Sequence, residues 1–381
     1  MSYFDQLVKR SEGSQLFDYH PNGHVQRCQC GQAVFFDNDR CLSCGSELGF
    51  HPHQGKLCSL APEADPQTWR IRSEGPLLGK RVNRCQNLNS PARCNWLVTE
   101  ESSSPYCTAC ALNLTIPDLS FGQNALHWRK TEEAKRRLVA QLIMLGLPVV
   151  SREQDPQQGL GFKLLAQQPG GPAVMTGHMD GVITINVGEA DPAHREQVRL
   201  NMHEPYRTLL GHFRHESGHY YWDRLVLNSA WLTPYRELFG DERQDYQQSL
   251  QRHYQNGPPS GWNNTYISSY AASHPWEDWA ETWAHYLHMT DTLNVALDFG
   301  IRLDTLNLRI DTFDASQLEG CVHGNGDQAA FLAFINRWVQ LSSVLNVLAR
   351  SMGQADIYPF IITVPSLRKL YMVHSVVAEQ H

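Results

Sequence analysis

Nine of the ten cysteines stand before residue 111, and their spacing is that of metal ligands rather than of a disulfide framework. Cys28 and Cys30 form a CxC pair, ten residues follow, and Cys41 and Cys44 form a CxxC pair. Gly31 and Gly45 come directly after each pair, where a tight knuckle turn favours a residue without Cβ. A second set, Cys85, Cys94, Cys107 and Cys110, has a looser first half and the same closing CxxC. So constrained, the first part of the chain is expected to fold as two small modules, each held by one structural zinc ion. Thiolates that must stay reduced to hold zinc place such a chain in the cytoplasm. Cys58 and Cys321 are left over and read as small thiols, buried or exposed.

Further along, His215, Glu216, Ser217, Gly218 and His219 spell HExxH, the arrangement used by zinc peptidases. Residues four apart on a helix differ by only about 40° in direction, so both imidazoles can reach one ion. Glu216 points along the same side, free of the metal. Catalytic zinc keeps one position for water and lowers its pKa from about 15.7 to near 7, which suits Glu216 to the role of general base. A helix is expected here because no proline interrupts residues 206–227, Pro205 stands at the start, and Leu209, Phe213, Tyr220 and Leu227 gather on one side. Asp223, one turn beyond His219, is placed to accept a hydrogen bond from a ligand imidazole. His212 shares the face of His215, but a fourth protein ligand would close the open position, so it reads as structural.

A third ligand is sought in residues 275–283, PWEDWAETW. Proline followed by two acids favours a helix start. In that helix Trp276, Trp279, Ala280, Trp283 and Leu287 make one apolar stripe, with Glu277 and Glu281 on its flank. Glu277 is the expected ligand and Glu281 its support, while Asp278, nearly opposite the stripe, is expected in solvent. Glu281 itself, His274, His285 and His288 stay open as rivals for the third position.

The motif Glu277, Asp278, Trp279, Ala280, Glu281 resembles the acid, any, aromatic, alanine, acid helix of gluzincins related to lethal-factor-type and Mlc titration factor peptidases. In the lethal-factor type a tyrosine seven residues before the ligand glutamate assists catalysis, and Tyr270 stands seven before Glu277. The resemblance thus implies that Tyr270 stabilises the oxyanion formed at the scissile carbonyl. Asp223 also matches an acid in that group. The whole layout, cysteine groups followed by GHFRHESGHYYWDRL and HPWEDWAETWAHYLH, resembles a bacterial family of zinc-binding metallopeptidases with an N-terminal zinc ribbon. It covers nearly all of the chain and implies a peptidase fold and ligand set.

The expected class is therefore α+β: zinc-ribbon modules followed by a mainly helical zincin-like domain with a small β-sheet. The expected divisions are residues 1–60, a zinc ribbon; 61–118, a second four-cysteine module; and 119–381, the peptidase domain. Residues 61–66, rich in proline and acid, read as a linker. Three zinc ions are expected, one catalytic and two structural, with a peptide or protein as substrate.

A net charge of -7 over 381 residues argues against a general nucleic-acid binder. Residues 70–93 nevertheless carry Arg70, Arg72, Lys80, Arg81, Arg84 and Arg93 against Glu74 alone, a local excess suited to a nucleic acid or an acidic protein partner. This leaves a second class of function, in which the ribbons recruit a partner and the metal site is regulatory or acts on nucleic-acid-bound proteins. The opening MSYFDQLVKRSEGS has no apolar core, so no secretory leader is expected. No membrane is expected either, since the near-apolar run at residues 138–150 is too short to span a bilayer. That run reads as the end of a helix starting near Thr131 and stopped by Gly146 and Pro148. Residues 181–187 alternate as a half-buried strand, and residues 328–349 and 358–378 read as packed helices.

Overall fold

The computed structural model describes residues 26–99, 102–202, 204–306, 308, 310–321 and 327–380. The opening segment on which the absence of a leader was argued lies outside the described residues. The chain divides into two compact units that meet in sequence between residues 198 and 199.

In the first unit, β1 (Gln26–Arg27) pairs with β2 (Ala33–Val34). Five antiparallel strands then follow in sequence order: β3 (Glu47–His51), β4 (Lys56–Pro62), β5 (Thr68–Ile71), β6 (Arg81–Arg84) and β7 (Leu97–Thr99). Its apolar face buries Leu60, Ile71, Leu77, Val82 and Leu97 with the Cys58 thiol among them, so Cys58 is a core side chain. Residues 61–66 are not a linker. They finish β4 and turn into β5, where the Asp65 carboxylate accepts from Gln67 N at 3.1 Å and from Thr68 Oγ1 at 2.8 Å.

After the short helix α1 (Thr108–Ala111) the chain enters a mixed sheet. Its strands are β8 (Asn113–Thr115), β9 (Gly161–Leu165), β10 (Gly177–Met179) and β11 (Val182–Asn186), in the order β10-β11-β9-β8. Strands β8, β9 and β11 run parallel, and parallel neighbours need a long crossover. The helix α2 (Asn124–Met144) supplies it between β8 and β9. This helix begins a full turn and more before Thr131, and Gly146, at φ +66, follows its end. Ile183 and Ile185 of β11 are buried, as their alternation predicts, and β11 is an interior strand; the antiparallel edge is β10. α3 (Pro192–Asn201) runs across the junction of the two units.

The second unit is helical: α4 (Leu209–Leu225), α5 (Leu232–Phe239), α6 (Tyr246–Asn256), α7 (Pro275–Asp298), α8 (Gln328–Ser351) and α9 (Val364–Ala378). α7 lies at its centre, against α4, α5, α8 and α9, and so buries more than one face. Among the described residues α8 is the one helix long and apolar enough to cross a bilayer. Its Phe331, Phe334, Ile335 and Trp338 are buried, but only 33% of its most apolar window is, and Val347 and Leu348 are exposed.

Candidate metal centre

The site is made by two helices in close approach. The Thr208 hydroxyl caps α4 by accepting from Gly211 N at 2.9 Å, so the helix starts at Leu209 rather than beside Pro205. His274 caps α7 by accepting from Trp276 N at 3.1 Å, with Pro275 in the first turn as expected. The helices meet at Gly218, where a Cβ would lie 2.9 Å from Ala280 Cα and 3.1 Å from Trp283 Cβ. Only a glycine lets the backbones come this near. Two tryptophans of the α7 stripe fix the crossing, Trp279 Nε1 donating to Gly218 O at 2.9 Å and Trp283 Nε1 to Ser217 Oγ at 3.1 Å.

This crossing brings His215, His219 and Glu277 together, with one ligand atom of each within 4.8 Å of the others. Glu277 Oε2 lies 2.9 Å from His215 Nε2 and 3.5 Å from His219 Nε2. A tetrahedral ion with ligands at about 2.0–2.2 Å would space them about 3.3–3.6 Å apart. Behind them, Glu281 Oε1 lies 2.7 Å from His215 Nδ1, and its other oxygen accepts from Ser268 Oγ at 2.6 Å. With the Nδ1 proton directed at Glu281, a neutral His215 presents the lone pair of Nε2 to Glu277. With both imidazoles neutral, the buried Glu277 Oε2 has no hydrogen-bond donor. Two acceptors facing each other at 2.9 Å call for a positive charge between them.

The electrostatics agree. Burial would push His215 down, but hydrogen bonds and the charges of Glu277 and Glu281 hold it well above its ordinary value. Burial would likewise raise Glu277, yet the His219 charge and the close approach of both imidazoles hold it well below the usual carboxylate range. Without an ion, a proton takes the place that a cation fits. Glu216 is buried beside the group, and burial pushes its carboxyl above the ordinary value against the pull of His215 and His219.

Other residues singled out from sequence fall in varied places. Tyr270 lies in a 3-10 turn just before α7, its ring 5.9 Å from that of His215. Asp223 is half-buried on α4, one turn past His219. Among the described residues, none of His212, His274, His285 and His288 joins the three-residue group. His274 is the α7 cap, His285 Nδ1 pairs with Tyr358 OH at 2.7 Å, and His288 Nδ1 with Arg214 Nη1 at 2.5 Å. Asp278 is not in solvent. It is fully buried and ion-paired with Lys369 of α9, because α7 packs on the side opposite its tryptophans as well. One residue escaped the sequence reading: Tyr246, whose hydroxyl donates to Glu277 Oε1 at 2.5 Å. Nothing in its local sequence announces a contact across 31 positions.

In the first unit both cysteine sets converge. Sγ separations are 3.6 Å for Cys28–Cys44, 3.8 Å for Cys30–Cys41 and 3.6 Å for Cys94–Cys107. Thiolates about 2.3 Å from a tetrahedral zinc stand about 3.8 Å apart, and a disulfide would need about 2.05 Å. Gly31 and Gly45 take φ of +86 and +73, the left-handed turn expected after each pair. The second set is wholly buried, and under it lie three buried charged residues of α2, Glu132, Lys135 and Arg136. Glu132 receives Asn113 Nδ2 at 2.9 Å and Lys135 Nζ at 2.8 Å, while Arg136 Nη1 donates to Ala92 O at 3.3 Å. Four residues of the basic stretch are paired: Arg70 and Arg81 with Glu63, Arg84 with Glu47 and Arg93 with Asp39.

Residues 124–376 match the family described as "Putative zinc-binding metallo-peptidase", and residues 25–121 match a zinc-ribbon domain. The chain belongs to this metallopeptidase family. Its N-terminal zinc ribbon and mainly helical remainder are those expected from the sequence. Relatives include uncharacterized proteins of Mycobacterium tuberculosis and Mycobacterium bovis, each 44% identical over 351 residues, which is 92% of this chain and 94% of the relative. No solved structure matches the chain.

Proposed function

We propose that this protein is a gluzincin-like peptidase that hydrolyses peptide bonds with a zinc-activated water. His215, His219 and Glu277 would hold the ion, and the observation that carries this is the buried, unsatisfied Glu277 Oε2 facing both Nε2 atoms. When bound, zinc supplies a water of lowered pKa and polarises the scissile carbonyl. Glu281 fixes the His215 tautomer through Nδ1. Glu216, kept free of that group and raised by burial, takes the proton of the attacking water and returns it to the leaving amine. Tyr270, near His215, donates to the developing oxyanion.

Cys28, Cys30, Cys41 and Cys44, and Cys85, Cys94, Cys107 and Cys110, would hold two further zinc ions, giving one catalytic and two structural ions. The substrate is a peptide or protein. Pairing with Glu47, Glu63 and Asp39 reduces the local positive excess, and any partner of the ribbon region is a protein or a nucleic acid. Reduced thiolates support a cytoplasmic site of action. The deciding experiment is Glu216→Gln, which should keep its zinc and lose about 100-fold to 10000-fold in peptide hydrolysis. Undiminished cleavage by this variant would sink the mechanism.

A further inference from the structure

Glu277 has two carboxylate oxygens with different surroundings. Oε2 faces His215 and His219 and, with both imidazoles neutral, has no hydrogen-bond donor, whereas Oε1 accepts from Tyr246 OH. Tyr246 is held there from several sides. It opens α6 directly after its cap, Asp245, whose Oδ1 accepts from Gln248 N at 2.9 Å. Its ring meets His274 edge-on at 5.2 Å and Trp276 edge-on at 5.8 Å. Trp276 in turn lies over the His219 ring at 3.8 Å, so one aromatic group braces a candidate imidazole ligand and the tyrosine together.

A carboxylate can bind zinc through one oxygen or through both, and binding through both would fill the position that water must occupy. From this arrangement we infer that Tyr246 is a positioning residue that ties down Glu277 Oε1, so that Glu277 meets zinc through Oε2 alone and one coordination site stays open. The hydroxyl is committed to Glu277, which separates its role from that of Tyr270. The inference rests on the proposed ligand set, but it can be tested without any turnover.

The experiment measures zinc affinity of the third, non-cysteine site in the full chain, with both cysteine groups zinc-loaded, by equilibration against buffered free zinc. Tyr246→Phe keeps the ring and removes only the hydroxyl. It should weaken that site about 10-fold to 100-fold, the usual cost of removing a group that orients a metal ligand. With cobalt in the third site, its visible absorption should also change, as the freed Glu277 oxygen displaces the water ligand. A double-mutant cycle guards against a general folding effect: in a Glu277→Ala background, Tyr246→Phe should cost no further affinity. Equal losses in both backgrounds, or unchanged affinity and spectrum in Tyr246→Phe, would overturn the positioning role. If Glu277→Ala itself bound the third zinc as tightly as the parent, the ligand assignment would fail instead, which is a separate result.

Discussion

Lys369 Nζ lies 2.6 Å from Asp278 Oδ2, with both side chains buried, so that an ion pair joins α9 to α7 one residue from Glu277. Taking one member away leaves a buried charge without its partner. Asp278→Leu, which strands the charged Lys369, should therefore cost about 3–5 kcal/mol in denaturant unfolding, whereas replacing both residues by apolar ones of similar volume should cost far less. Burial pushes the Asp278 carboxyl up to about 7 against the pull of Lys369. Raised in the folded state, this group contributes its stability in full below about pH 4 and loses it as the pH rises through about 7. Asp278→Asn should remove that part of the pH dependence, and stability curves that stay parallel to the parent's would contradict the assignment.

Zinc content separates the three candidate centres. Elemental analysis of the reduced protein should find three ions per chain. Changing His215 and His219 together should remove one of them and leave the fold intact. Changing Cys41 and Cys44 should instead disrupt the first ribbon, because structural zinc can supply on the order of 10 kcal/mol to a small domain. A parent chain holding one ion would refute the count.

Ligand and supporting carboxylate should behave differently. Glu277→Ala should lower occupancy of the third site sharply while leaving a measurable residual affinity, and Glu281→Ala, acting through His215 Nδ1, should weaken it about 10-fold to 100-fold. His285→Ala should leave it unchanged, since that imidazole is engaged by Tyr358. Normal zinc binding in Glu277→Ala together with loss in His285→Ala would reverse the assignment.

Tyr270→Phe should keep zinc and slow turnover by about 100-fold, the common effect of losing one oxyanion donor. The comparison of kcat with zinc content in one preparation is the check. A parallel loss of both would place Tyr270 among the groups that hold the metal.

What could be read in the sequence was whatever local spacing dictates. The HExxH pair and the CxC and CxxC pairs are legible because their ligands must lie within a helical turn or a knuckle of each other. Asp278 was misplaced because a helical wheel locates one apolar face, and α7 buries its opposite side against α9 through a charge pair that the wheel does not price. Tyr246 was invisible because its partner lies on another helix. Residues 61–66 misled because proline, aspartate and glutamate mark a hairpin turn as readily as a linker.

The charges that α2 lodges beneath the second cysteine group bear on how such a protein can be inherited or cut. The ribbon match ends at residue 121 and the peptidase match begins at 124, which invites dissection at that point. Yet α2 starts at Asn124, and its Glu132 and Arg136 find partners in Asn113 and Ala92 on the ribbon side of the cut. A shortened gene product would carry this helix with its ionic groups stripped of the neighbours that make their burial tolerable. The ribbon is thus no freely detachable cassette: a chain cut between residues 121 and 124 should be less stable than the whole one.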